Sequence, residues 1–93
     1  MKHDFKKLEP YIVELLDRFG EREYEDSGFS NFCGGYTNGE YEDMDEDNVY
    51  FRLELGIQDP FEGANFVEHY HISIEDLLNS ELSWNEKLGS IDG

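Results

Sequence analysis

The sequence is short of bases, cysteine and long apolar runs. Only 7 of its 93 residues are Lys or Arg, against 23 Asp and Glu, for a formal charge of −16. Binding free nucleic acid requires Lys and Arg to replace phosphate counterions, so this surface would repel DNA and RNA. Cys33 is the sole cysteine, which excludes an intramolecular disulfide and fits a reducing compartment. No apolar run approaches the ~18 residues of a membrane span. The start, Met1-Lys2-His3-Asp4-Phe5, continues into Lys6, Lys7 and Glu9 and has no apolar core of the secretory kind. The expected location is therefore the cytoplasm, with no membrane partner. Pro is present only twice, and no Pro- or Ser-rich linker divides the chain, so a single domain over residues 1–93 is expected.

Core-forming material is nevertheless plentiful. Leu, Ile, Val and Phe make up 24 residues and aromatics 14, more than disordered acidic tails usually carry. Phe5, Leu8, Ile12, Leu15, Leu16 and Phe19 fall on one stripe of a helix over about 5–19. Asp4 is a candidate cap and Gly20 a candidate end; Pro10 places the start of the regular helix just before it. Phe51, Leu53, Leu55 and Ile57 alternate with polar residues, as do Phe66, Tyr70, Ile72 and Ile74 with Val67, His69, His71 and Ser73. These two runs predict a hairpin of strands at about 49–57 and 65–73, turning at Asp59-Pro60 and Gly63. Ser73 followed by Asp76 starts a helix over about 74–82, seated by Leu77, Leu78 and Leu82, and the remaining residues are expected to fray. The predicted class is α+β: an N-terminal helix, a three- or four-stranded antiparallel sheet and a C-terminal helix.

Residues 21–47 hold ten acids and one base, Arg22, and so more than half of the net charge. Glu23, Glu25 and Asp26, with Glu21, form one cluster; Glu40, Glu42, Asp43, Asp45, Glu46 and Asp47 form another. Between them an uncharged Gly- and aromatic-rich stretch reads as strand edges and turns, with Thr37-Asn38-Gly39 as a hairpin turn. Phe29 and Phe32 are expected in the core. Tyr24 and Tyr41 are expected as surface anchors, since tyrosine buries area at low entropic cost and stacks on guanidinium groups.

Metal and catalytic motifs were weighed against this background. Asp43, Asp45, Asp47 and Glu54 occupy positions one, three, five and twelve of an EF-hand loop, but position six is Asn48 and Glu54 lies in a strand pattern. His69 and His71 share a strand face and could hold zinc with a carboxylate or Cys33, yet no third ligand stands at diagnostic spacing. No metal or cofactor is assigned. No nucleophile-elbow or cysteine-protease pattern surrounds Cys33 or any serine, and no Lys-Ser or Lys-Thr follows Gly34-Gly35, so the chain is not read as an enzyme.

A net charge of about two to eight suffices to keep a small domain soluble. Sixteen exceeds that need and points to a basic partner. A compact globule of this length would have a radius of gyration near 12 Å and a diameter of roughly 30 Å. Duplex DNA of that length carries about 18 phosphate charges, comparable with this chain. In size, acidity and mixed helix and strand content, the chain resembles the heterogeneous class of small acidic inhibitors made by phages and mobile elements. That class includes anti-CRISPR proteins, antirestriction proteins and other DNA mimics. It is also similar to immunity proteins that neutralise basic nuclease toxins. The resemblance is compositional, spans the whole chain and transfers no residue. It implies a stoichiometric inhibitor, in a host cytoplasm if phage-encoded, that occludes the basic surface of a CRISPR effector or restriction enzyme. An immunity protein and a divalent-cation-binding module are the alternatives. The residues expected to carry binding are Glu23, Tyr24, Glu25, Asp26, Glu40, Tyr41, Glu42, Asp43, Asp45, Glu46 and Asp47.

Overall fold

The chain begins as an amphipathic helix whose stripe needs an apolar surface to lie on, and the alternating strands supply it. The computed structural model describes residues 5–58 and 64–93. Helix α1 (Phe5–Ser27) is followed by a single 3-10 turn (Phe29–Asn31) and strands β1 (Gly35–Met44), β2 (Asn48–Ile57) and β3 (Ala64–Ser73). Two short helices, α2 (Ile74–Leu78) and α3 (Trp84–Gly89), close the chain. The three strands form one antiparallel sheet in the order β1-β2-β3. The protein is thus α+β, and the sheet has three strands. The expected Asp4 cap and the turn at Asp59-Pro60 and Gly63 lie outside the described residues.

The core forms between α1 and one face of the sheet. Leu8, Ile12, Leu15 and Phe19 meet Val49, Phe51, Leu53 and Ile72, and all eight are nearly inaccessible. Phe19 packs edge-on against both Phe51 and Tyr70, with ring centroids 5.7 and 4.8 Å apart. Ile74, Leu77 and Leu88 add α2 and α3 to the same cluster. The opposite face, which carries Tyr50, Arg52 and Glu54 of β2, has no element packed over it among the described residues.

Several boundaries differ from the sequence expectation, each for a local reason. Pro10 lies inside α1 at an exposed position, so its ring and the amide donor it lacks fall off the buried stripe. Gly20 does not end the helix. It is buried, and a Cβ there would sit 3.5 Å from both Leu53 Cδ1 and Thr37 Oγ1, so the glycine brings α1 close to the sheet. The helix stops at Ser27 because Gly28 takes the left-handed conformation, with φ of 82°. Thr37-Asn38-Gly39 is mid-strand, opposite Leu55, Glu54 and Leu53. The β1–β2 turn instead falls at residues 45–47, where the Asp45 carboxylate accepts from the amides of Asp47 (2.8 Å) and Asn48 (2.7 Å). Ser73 caps α2 as expected, accepting from Asp76 N at 3.4 Å. That helix ends at Leu78 rather than near 82, because Asn79 accepts from Glu81 N and turns the chain; Leu78 is exposed. The expected frayed end is ordered into α3 by a capping box, Ser83 with Glu86, and Asp92 pairs with the backbone of His71. Phe32 is 56% exposed rather than core, and half-buried Phe29 stacks on Phe66.

Lys87 is only 5% exposed. Its ammonium donates to Leu77 O at 2.8 Å, satisfying a carbonyl at the end of α2, and lies 4.8 Å from the Trp84 ring centroid. Replacing Lys87 by Met keeps the stem and deletes the charged hydrogen bond, so a urea melt should show a loss of about 1.5–3 kcal/mol. Phe19→Ala should cost about 3–5 kcal/mol by leaving a cavity between the helix and the sheet. In a marginally stable domain that loss should leave a large unfolded fraction by circular dichroism at 25 °C.

Candidate protein-docking surface

The bulge in β1 decides which acids face which way. Tyr41 pairs with Phe51 and Asp43 with Tyr50, so Glu42 is the extra residue between them. Tyr41 therefore falls on the helix side, against the Phe5 ring at 5.0 Å, and burial raises its hydroxyl above the ordinary tyrosine range. On the open side, Tyr36, Asn38, Glu40 and Asp43 of β1 line up with Gly56, Glu54, Arg52 and Tyr50 of β2, and these with Asn65, Val67, His69 and His71 of β3.

These side chains bond to one another across the strands. Glu54 Oε2 accepts from the Tyr36 hydroxyl (2.8 Å) and from Asn65 Nδ2 (3.0 Å). Glu40 Oε2 accepts from Arg52 at 2.6 Å, and its Oε1 accepts from Asn38 Nδ2. His69 Nδ1 donates to Glu42 Oε1 at 2.8 Å. At the turn, the Tyr50 hydroxyl donates to Asp45 Oδ2 at 2.6 Å. Hydrogen bonds to the ionised form hold these carboxyls below their ordinary range: Arg52 acts on Glu40, Asn65 and Tyr36 on Glu54, and Tyr50 with two backbone amides on Asp45. The same bonds raise the Tyr36 and Tyr50 hydroxyls.

The two acidic clusters of the sequence do not meet. Glu23, Tyr24, Glu25 and Asp26 occupy the end of α1, where the Tyr24 hydroxyl crowds Gly35 at the start of β1. Asp43, Asp45, Glu46 and Asp47 lie at the other end of β1, roughly 30 Å along the strand. Tyr24 and Glu23 are half-buried; Glu25, Asp26, Glu46 and Asp47 are exposed. Tyr24 is half-buried, whereas Tyr41 lies at the surface, 36% exposed beside the Phe5 ring. Sequence reading missed the contribution of Tyr36, Asn38, Arg52, Glu54 and Asn65. The alternation Tyr36-x-Asn38-x-Glu40 is visible in the chain, but reading Thr37-Asn38-Gly39 as a turn interrupts it.

The metal candidates are likewise separated. Asp43 stands opposite Tyr50, so Glu54 is four residues further along β2, about 14 Å away by strand rise. Cys33 precedes β1 at the Ile57 end, five strand positions from the pair Arg52 and His69. Among the described residues no group of three or more His, Cys, Asp and Glu converges as a metal requires. Two clefts of about 330 Å³ are present, one lined by Glu46, Asp47, Ser73, Glu75 and Leu78, the other by Leu16, Gly20, Glu21, Tyr24 and Thr37. Neither brings a histidine to a hydroxyl or thiol. No described helix is long and apolar enough to cross a membrane. Comparison with protein-family models, curated proteins and solved structures gives no match to this chain.

The depressed carboxyls stabilise the fold at pH above their ordinary values of 4.5 for Glu and 3.8 for Asp. That contribution is lost as pH falls through the lower folded-state values. A carbon-detected NMR titration should show Glu40, Asp45 and Glu54 titrating below the ordinary range. Tyr50→Phe should shift the Asp45 midpoint upward, and Tyr36→Phe that of Glu54; unmoved midpoints would show that the hydroxyls do not bear on these acids.

Proposed function

We propose that this chain is a small acidic inhibitor that binds and occludes the basic nucleic-acid-binding surface of a partner protein, such as a CRISPR effector or a restriction enzyme, by imitating nucleic acid. The observation that carries the reading is the amount of charge on a narrow body. The molecule measures 49 × 23 × 20 Å, with a radius of gyration of 14.4 Å, longer than the roughly 30 Å expected of a compact globule. Its 16 net negative charges over 49 Å amount to about one per 3 Å. A single nucleic-acid strand in a duplex carries one phosphate per ~3.4 Å of axis, and the full duplex one per ~1.7 Å. The linear charge density is therefore that of one strand, about half that of a duplex.

Support also comes from how the acids are held. On the open face, carboxylates are fixed largely by neutral donors, Tyr36, Asn38, Asn65 and Tyr50, which orient them without cancelling their charge. A basic partner would meet a fixed negative field, which steers encounter and makes it sensitive to salt.

Displacement of a labelled oligonucleotide tests this directly. Against a panel comprising a CRISPR effector, a restriction endonuclease and a basic nuclease toxin, the chain should displace nucleic acid from at least one protein at 50 mM salt. The apparent affinity should fall at least tenfold by 500 mM. Inhibition of the toxin alone would favour an immunity role, and displacement from none of the panel at 50 mM would count against the proposal.

A further inference from the structure

We infer that the docking surface is the open face of the sheet, and that it takes arginine side chains of a basic protein surface; this deepens the inhibitor reading and rests on it. The acidic ends of α1 and of the β1–β2 turn are then secondary. The face is the one side of the sheet that no described element covers. It carries Glu40, Glu42, Asp43 and Glu54 against a single guanidinium, Arg52, so its charge complements a basic partner.

The spacing of the face suits several donors at once. Glu54 and the Glu40 and Arg52 pair form successive stations down β2, two residues or ~6.8 Å apart. That step equals about two nucleotide rises of a strand, at ~3.4 Å each. Arg52 already shows how a guanidinium is received there: its Nε and one terminal nitrogen both reach Glu40 Oε2, at 3.1 and 2.6 Å. Glu54 has the equivalent carboxylate bonded by Tyr36 and Asn65, with Arg52 acting on it only through space. Both its donors fall on Oε2, and a carboxylate offers about four acceptor sites, so capacity remains for an incoming arginine.

Order favours this face over the ends. Its carboxylates are fixed before any partner arrives, which reduces the side-chain entropy lost on binding. At the turn, by contrast, Asp45 spends its second oxygen on two backbone amides. Three strands of ten residues present a plan area on the order of 400 Å², at the small end for protein interfaces. Charge rather than apolar area must carry such a contact.

The test titrates the full chain with an eight-residue polyarginine peptide at 20 mM salt and pH 7, read by amide NMR shifts and calorimetry. Shifts should centre on residues 36–40, 52–54 and 65–69. Glu40→Gln with Glu54→Gln should weaken peptide binding about tenfold. Glu23→Gln with Glu25→Gln removes the same charge from α1 and should change it less than twofold. Val67→Lys adds a cation to the face without breaking any of these bonds, and should weaken binding even if the first pair loosens the sheet. Equal losses in the two double variants, or shifts centred on residues 23–26 or 45–47, would overturn the placement while leaving the inhibitor reading intact. An absence of peptide binding at 20 mM salt would remove both.

Discussion

A short acidic chain can build one layer of core and little more, and where that layer forms determines the rest of the molecule. Here it is the contact between the Leu8, Ile12, Leu15 and Phe19 stripe of α1 and the Val49, Phe51, Leu53 and Ile72 face of the sheet. The buried apolar residues serve that one contact, and α2 and α3 add Ile74, Leu77 and Leu88, with Trp84 partly buried beside them. With no second helix layer, the reverse face of the sheet must be polar to stay in water. The hydrogen-bonded array of Glu40, Arg52, Glu54, Tyr36 and Asn65 meets that requirement.

Net self-repulsion opposes that single layer, and the bases are placed where they offset it. Arg52 sits among carboxylates on the open face, Arg18 bonds Glu14 on α1 and lies over Trp84, and Lys87 is buried between helices. Surface pairs such as Arg18 with Glu14 contribute little, a few tenths of a kcal/mol at most. Lys87 differs because its ammonium completes the backbone bonding of α2 while its stem fills space beside Trp84 and Tyr11. A lysine can be buried here without a carboxylate partner because a carbonyl and two aromatic rings face it.

What was legible in the chain was whatever periodicity expresses. The stripe of α1 and the alternation in β2 and β3 gave the correct faces, down to His69 and His71 on the open side. Termini and turns were less legible, because glycine and asparagine have several uses. Gly20 fits a helix end by type but is buried in a close approach, while Gly28, seven residues later, takes the positive φ that ends the helix. Asn38-Gly39 resembles a hairpin turn, but the carboxylate of Asp45 captures the turn by bonding two amides. The Ser83 and Glu86 box repeats the logic that located α2, and applying it there would have found α3.

Charge was legible as an amount and not as an arrangement. Residues 21–47 hold more than half of the net charge, yet the fold puts the two clusters at opposite ends of β1, and a single bulge at Glu42 sets Asp43 opposite Tyr50 on the open face. A one-residue slip reverses the face of everything beyond it, so Asp43 and Asp45 could not be assigned to a surface before the Glu42 bulge was known. The acids that this geometry gathers are held across the hairpin by partners far off in sequence, eighteen residues apart for Tyr36 and Glu54 and twelve for Glu40 and Arg52. A negative surface assembled across strands is stiffer than the same number of acids in a flexible run. Its orientation is set by Tyr36, Asn38, Asn65 and Tyr50, which bear no charge at neutral pH, together with Arg52 on Glu40. The neutral residues of the open face therefore decide, as much as the acids, what kind of cationic surface can lie against it.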